Sequence, residues 1–329
     1  MKNFADILGQ EQITAHFQYS LKNKQVSHAY IIAGDQGMGK KTLTNAFVKA
    51  LVCEAGYGEA CGMCRSCIQF ESGNHPDVRY VTHEKPASIG VDDVRTQITG
   101  DIMIKPYNGR YKVYIVDDAQ LMTVQAQNAL LKTIEEPPSY AVLIFLTTSP
   151  ESLLATIRSR CVLLRMKPVD KLKIRDYLIR EMEIPDYRAN VCAAYAQGNL
   201  GKAITMAGSE DFREMHELML HVVKRVDEMR ISDMMIAIND ISRYKGQIQD
   251  FLDLMAVWYR DVLTYKATQD VNQIIYQGEV KSLQKKASAS SYEGLGRILE
   301  AISDAAYRMM VNASFDWTME LLLVHIKEN

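Results

Sequence analysis

The stretch GDQGMGKKTL, residues 34–43, decides how the first half of this 329-residue chain is read. An apolar run, AYIIAG (29–34), leads into it, and a helical pattern (40–52) leads out. A strand, a glycine turn and a helix in that order aim backbone N–H groups and a helix N-terminus at one point, which attracts phosphate. Gly34, Gly39 and Lys40 meet the pattern G-x-x-x-x-G-K-[ST], with Gly37 inside the turn. Lys40 is placed to reach the β- and γ-phosphates of a nucleotide. Lys41 breaks the pattern, because the Ser or Thr expected there supplies a hydroxyl to magnesium. An ammonium group repels that ion. Thr42 comes one residue late, and one helical step swings a side chain by about 100°. These residues read as a phosphate loop with a damaged metal position; the plainer alternative is a glycine turn without a ligand.

Working outward, further strands are expected at VRYVT (78–82), KVYIVDD (112–118), AVLIFLTT (141–148) and CVLLRM (161–166). Helical patterns lie among them at 10–23, 91–100, 123–135 and 151–158. Such alternation predicts a mostly parallel sheet covered on both faces. The run VYIVDD ends in Asp117 and Asp118. A carboxylate at a strand end beside a phosphate loop holds magnesium through water. The residue after it, usually Glu, orients the attacking water. Asp118 is one methylene shorter, and a solvated strand end is the plainer reading. After 167–170 no strand is expected. Helical patterns at 170–182, 186–197 and 200–208 form a small unit, AGSED (207–211) reads as a linker, and helix follows helix to the end.

Four of the six cysteines fall in one segment as Cys53-x7-Cys61-x2-Cys64-x2-Cys67. Four thiolates so close in sequence suit tetrahedral zinc in a closed, structural site. An iron–sulfur cluster has related spacing, but its fourth cysteine lies downstream before a proline; free thiols are the third reading. Cys161 and Cys192 fall in apolar patterns and are expected in the core. The net charge of −2 gives no global basic footprint for nucleic acid. No run approaches the roughly 18 apolar residues of a membrane span, and the N-terminus has no signal-peptide core. A cytoplasmic protein with no membrane partner is expected, with two or three domains.

Together the segments FADILGQEQ, SHAYIIAG, the four-cysteine insertion, ESGNHPD (71–77), NALLKTIEEPP (128–138) and SRC (159–161) resemble one family. It is the delta-prime family of bacterial DNA polymerase III clamp-loader subunits, relatives of the AAA+ ATPases. The likeness runs through about the first 165 residues. It implies an α/β AAA+ P-loop domain with a zinc-binding insertion (1–166, insertion about 53–67), a helical lid (167–208) and an all-α collar (209–329). It also implies partners: clamp-loader ATPase subunits and a delta subunit in a hetero-pentamer, with the sliding clamp and primer–template DNA met through the complex.

On this resemblance Arg160 is an arginine finger acting in trans on a neighbour's nucleotide, a role suited to a planar guanidinium. Thr148, beside Thr147, ends the fourth strand where the family keeps a polar phosphate sensor. Gly201 stands where ATPase relatives carry a lid arginine. With Lys41, Asp118 and Gly201 each departing from the active pattern, efficient magnesium-dependent hydrolysis of ATP is not expected in cis. Two other enzymes fit these residues less well. An ATP-hydrolysing motor subunit of the same loader needs Ser or Thr at 41 and Arg at 201. A P-loop kinase of small molecules gives no reason for the cysteines. A stand-alone zinc-dependent DNA binder would need more than the one basic residue in GMCRSC.

Overall fold

The computed structural model describes residues 3–56, 58–83, 85–107 and 109–329. The chain forms two compact units, Met1–Lys173 with Gly198–Gly201, and Ile174–Gln197 with Lys202–Asn329.

The first unit is built on a sheet of β1 (Ala29–Ala33), β2 (Val78–Tyr80), β3 (Lys112–Val116), β4 (Ala141–Thr147) and β5 (Val162–Arg165). The order is β2-β3-β4-β1-β5, and every pairing is parallel. Each strand ends a residue or more before the apolar run in the sequence suggested. Along the central strands β1, β3 and β4 the side chains alternate between two cores, while the edge strands β2 and β5 bury one face only. Tyr30, Ile32, Val113, Ile115, Val142 and Ile144 enter one, while Ile31, Tyr114, Val116, Leu143 and Phe145 enter the other. This is the period-two geometry of a strand buried on both faces. Helices α1 (Glu11–Lys22) and α2 (Lys40–Val52) supply the first core, where Phe17 stacks on Phe47 at 4.0 Å and Tyr30 meets both edge-on. The next helix, α3 (Arg65–Glu71), closes the cysteine segment, and α4 (Val91–Val94) and α5 (Val124–Glu135) cover the other face.

Two sequence expectations are corrected in this unit. The helix expected over 91–100 is α helix only through α4, then a π turn over Arg95–Thr99. The helix expected over 151–158 is a 3-10 turn (Pro150–Ser152) and the short α6 (Ala155–Arg158). The break is held by buried Gln127, whose Oε1 accepts from the Leu154 N–H (2.7 Å) and whose Nε2 donates to the Met122 and Ser152 carbonyls.

From Lys171 the chain is helical, with no strand among the described residues: α7 (Lys171–Met182), α8 (Asp186–Tyr195), α9 (Leu200–Gly208), α10 (Glu210–Arg225), α11 (Ile231–Ile241), α12 (Ile248–Thr268), α13 (Val280–Ala289), α14 (Tyr292–Met310) and α15 (Phe315–Glu328). In the second unit α12 packs against α10, α13 and α14 and buries Phe251, Met255, Trp258 and Tyr259. The Tyr195 hydroxyl of α8 bonds Asp250 and Asp253 of α12 at 2.5 and 3.1 Å. The AGSED stretch is no linker. Its glycine ends α9, Ser209 caps α10 by accepting the Phe212 N–H (3.1 Å), and the acidic residues form the first turn of α10, where they suit the helix dipole.

Candidate functional site

The loops after β1, β3 and β4 share the carboxyl edge of the parallel sheet, the edge at which such sheets bind ligands. The glycine loop needs its glycines: Gly37 and Gly39 have φ of 87° and 91°, a left-handed conformation that other residues seldom adopt. Lys40, the first residue of α2, is buried, and its ammonium donates to the loop's own carbonyls, Gly34 (2.7 Å) and Asp35 (3.1 Å). Burial pulls its pKa below the ordinary lysine value, with Asp118, Asp117 and Asp35 partly opposing. Lys41 and Thr42 are both exposed. The Lys41 ammonium stands 3.9 Å from the Asp117 carboxylate and 5.3 Å from the centre of the Tyr80 ring. The exposed Lys41 ammonium thus faces the Asp117 carboxylate, an arrangement that does not favour a second cation there.

Asp118 is left-handed (φ 48°) and accepts the Gln120 side-chain amide at 2.8 Å. The other end of that amide accepts the Thr148 N–H at 3.2 Å. Gln120 thus ties the acidic end of β3 to the polar end of β4, a link that sequence reading missed. Thr148 is exposed on this edge, whereas Thr147 is buried and closes its own turn by bonding Ser149.

Gly201 lies directly on the phosphate loop. Its N–H donates to the Gly37 carbonyl (3.0 Å), and the Asn199 amide donates to the Gln36 carbonyl (2.7 Å). A Cβ at 201 would stand 2.3 Å from the Gly37 oxygen and 2.9 Å from its Cα. No side chain is compatible with that backbone contact, so glycine here does more than omit an arginine. It lets the start of α9 rest on the loop.

Arg160 follows α6 and is partly exposed. Its guanidinium bonds the Glu135 carboxylate (2.9 Å), the Thr156 carbonyl (2.9 Å) and the Ser159 hydroxyl (3.3 Å). Glu135 belongs to the NALLKTIEEPP segment, one of those that carry the family resemblance. The pair orients the arginine on the surface of the unit.

Cys53, Cys61, Cys64 and Cys67 come together with their sulfurs all within 4.8 Å of one another, the pair Cys61 and Cys67 at 4.0 Å. A tetrahedral site with metal–sulfur bonds of about 2.3 Å separates its sulfurs by about 3.8 Å, so the group can hold a metal ion. Backbone N–H groups support it: Cys61 donates to Cys53 Sγ, Cys64 to Cys61 Sγ and Cys67 to Cys64 Sγ, each at 3.4 Å. Donation from the Met63 and Cys64 amides draws the Cys61 thiol down to about 6, while burial pushes Cys67 up. A shared cation satisfies both by neutralising the thiolates in place. Cys192 is a core residue, as expected, whereas Cys161 is only partly buried at the margin of the second core; burial raises Cys161 to about 12 and Cys192 to about 11.

A glycine loop after β1, an acidic end to β3 and a polar end to β4 define a P-loop α/β domain, here with its loop residues bonded to the protein itself. The family model described as DNA polymerase III, delta subunit, matches residues 9–170. Over 314 residues the chain is 29% identical to DNA polymerase III subunit delta' of Bacillus subtilis, covering 94% of this chain and 93% of that protein. It is 27% identical to DNA polymerase III subunit tau of the same organism, over 87% of this chain and 54% of the relative. Among solved structures, a gamma subunit-related protein of Thermotoga maritima aligns over 97% of this chain and 99% of its own, with 19% identity and a TM-score of 0.41. The chain belongs to the delta-prime family of DNA polymerase III clamp-loader subunits.

Proposed function

We propose that this chain is a ring subunit of the clamp loader that turns over no ATP of its own and lends Arg160 to the nucleotide of a neighbouring subunit. The observation that carries the reading is the state of the phosphate loop. Its lysine is bonded to its own carbonyls, Lys41 faces Asp117, and Gly201 rests on Gly37. A nucleotide with magnesium would have to draw Lys40 off these carbonyls and part Lys41 from Asp117. Arg160 meets the opposite requirement: it is oriented by Glu135 yet partly exposed. In a neighbour's site it would exchange that carboxylate for a γ-phosphate and favour the charge of the transition state.

In this reading the α/β unit is an AAA+ module, 167–208 is its lid and 209–329 its collar. Collar helices join the ATPase subunits and a delta subunit in a pentamer, and the clamp and primer–template DNA are met by the assembly. The four cysteines hold zinc, which would fold the insertion around itself and supply no chemistry, since four sulfurs leave no open position. A motor subunit of the same loader is disfavoured by Lys41 and Gly201.

The test is ATP binding and turnover by the isolated chain, with and without magnesium. The expected result is negligible hydrolysis and no gain in affinity from magnesium. Turnover at about 1 s⁻¹ or more, the ordinary enzyme range, would refute the proposal.

A further inference from the structure

The ESGNHPD motif has no part in the phosphate site, yet its polar residues form a continuous buried chain. Ser66, between Cys64 and Cys67, donates its hydroxyl to the Val52 carbonyl (2.6 Å), next to Cys53, and so closes the two ends of the cysteine segment on each other. The same oxygen bonds His75 Nε2 at 2.8 Å, and His75 Nδ1 bonds the Asp77 N–H at 3.2 Å. The roles follow from the partners. The serine proton is already given to Val52, and an amide can only donate, so His75 is neutral with its proton on Nε2. Asp77 continues the chain: Oδ1 accepts the Tyr107 N–H (2.5 Å), and its carbonyl accepts the Val113 N–H of β3 (2.8 Å). Ser66, His75 and Asp77 are all buried.

The far end of this chain is unusual. Residues 103–107 expose Met103, Ile104 and Tyr107 at 73%, 61% and 82%. The backbone leading to them is nonetheless pinned. Buried Lys112 donates to the Asp101 and Ile104 carbonyls (3.0 and 3.2 Å), and the Tyr140 hydroxyl to those of Ile102 and Met103 (3.1 and 3.0 Å). Lys112 and Tyr140 hold the start of this loop, and the Asp77 carboxylate holds its end.

We propose that Ser66, His75 and Asp77 form a strut that transmits the folded state of the four-cysteine module to the apolar loop 103–107, with His75 as its positioning residue. Metal in the module fixes Ser66 between two ligands. Ser66 fixes the imidazole, the imidazole fixes the Asp77 backbone, and the Asp77 carboxylate fixes Tyr107. This rests on the module holding metal, as proposed above; the strut itself is set by hydrogen bonds within the chain.

The test is hydrogen exchange at the Tyr107 amide in the full chain, with zinc added alone or removed by chelator, and with metal content measured in parallel. Loss of one charge-assisted bond corresponds to roughly tenfold faster exchange. The expected result is about that increase when zinc is removed from the wild type. The same increase is expected in His75→Phe with zinc still bound, and no further increase when that variant loses zinc. Ser66→Ala, which removes a single oxygen, gives the same pattern should the histidine variant fail to fold. The amides of β4 stay unchanged throughout. Wild-type exchange at Tyr107 in both folded variants would overturn the strut. So would an equal response to zinc removal with and without His75, because the two ends would then communicate by another route. If the chain binds no zinc, the metal reading fails alone: the variants must still speed Tyr107 exchange for the strut to stand.

Discussion

Replacing Gly201 with alanine tests the closed phosphate loop by the sign of its effect. In an unobstructed helix, Gly→Ala stabilises by about 0.4–1 kcal/mol, since the unfolded chain loses freedom. Gly201 is obstructed. The new Cβ would lie 2.3, 2.9 and 3.0 Å from the Gly37 oxygen, Cα and carbonyl carbon, all backbone atoms that no rotamer change can move. The start of α9 must lift by roughly an ångström, breaking the Gly201-to-Gly37 bond and straining the Asn199-to-Gln36 bond beside it. Each such bond contributes about 0.5–1.5 kcal/mol, and overpacking typically costs about 1–3 kcal/mol. Allowing for the helix gain, the contact should weaken by about 1–3 kcal/mol, which is about 5- to 140-fold in local opening. Hydrogen exchange over 34–43 and 198–208 reads this directly. Gly296→Ala is the control: it lies within α14 with no atom within 4 Å of its would-be Cβ, and should stabilise its helix. Slower exchange in Gly201→Ala, matching the control, would show that nothing rests on the loop and refute the reasoning.

Two further outcomes are expected. Elemental analysis should find one zinc per chain, and Cys64→Ser should lose it; iron with visible absorbance, or no metal in the wild type, would contradict the structural-zinc reading. Burial, with help from Arg188 and Lys224, pulls His216 down to about 4, and its ring lies between Phe212 and Tyr276. Against an unfolded value of about 6.5, the unfolded chain binds the extra proton between those limits, so stability falls as pH drops from about 6.5 to about 4, by at most about 3 kcal/mol. Urea unfolding at pH 7 and pH 4.5 should show a smaller acid loss in His216→Phe than in wild type; equal losses would exclude the histidine as the cause.

Much of the first unit was legible because its signals are local. Runs such as AVLIFL have no polar face, are short and are rich in branched and aromatic residues, which together favour strands buried on both sides. The cysteine spacing and the glycine loop announce chemistry within a few residues. What stayed hidden depends on partners far apart in sequence. Nothing near Gly201 reveals that it lies on Gly37. Nothing near Gln120 shows that it bridges Asp118 and Thr148, and nothing near Glu135 shows that it meets Arg160. The break before α6 is likewise imposed from a distance, by Gln127 bonding Leu154 and Ser152. AGSED misled for a different reason: Gly, Ser and acidic residues mark a helix stop and a helix start as well as they mark a linker.

The central claim is that this subunit contributes an arginine and not a catalytic site of its own. It is tested most directly by clamp-dependent ATP turnover in a reconstituted loader, comparing Arg160→Ala with Lys40→Ala. A finger contributes up to about 10³–10⁵ in rate at the site it serves, and the assembly loses less than that because its other sites keep theirs. The account predicts a marked fall for Arg160→Ala, with the assembly and its metal intact, and the wild-type rate for Lys40→Ala. A wild-type rate for Arg160→Ala together with a fall for Lys40→Ala would contradict it.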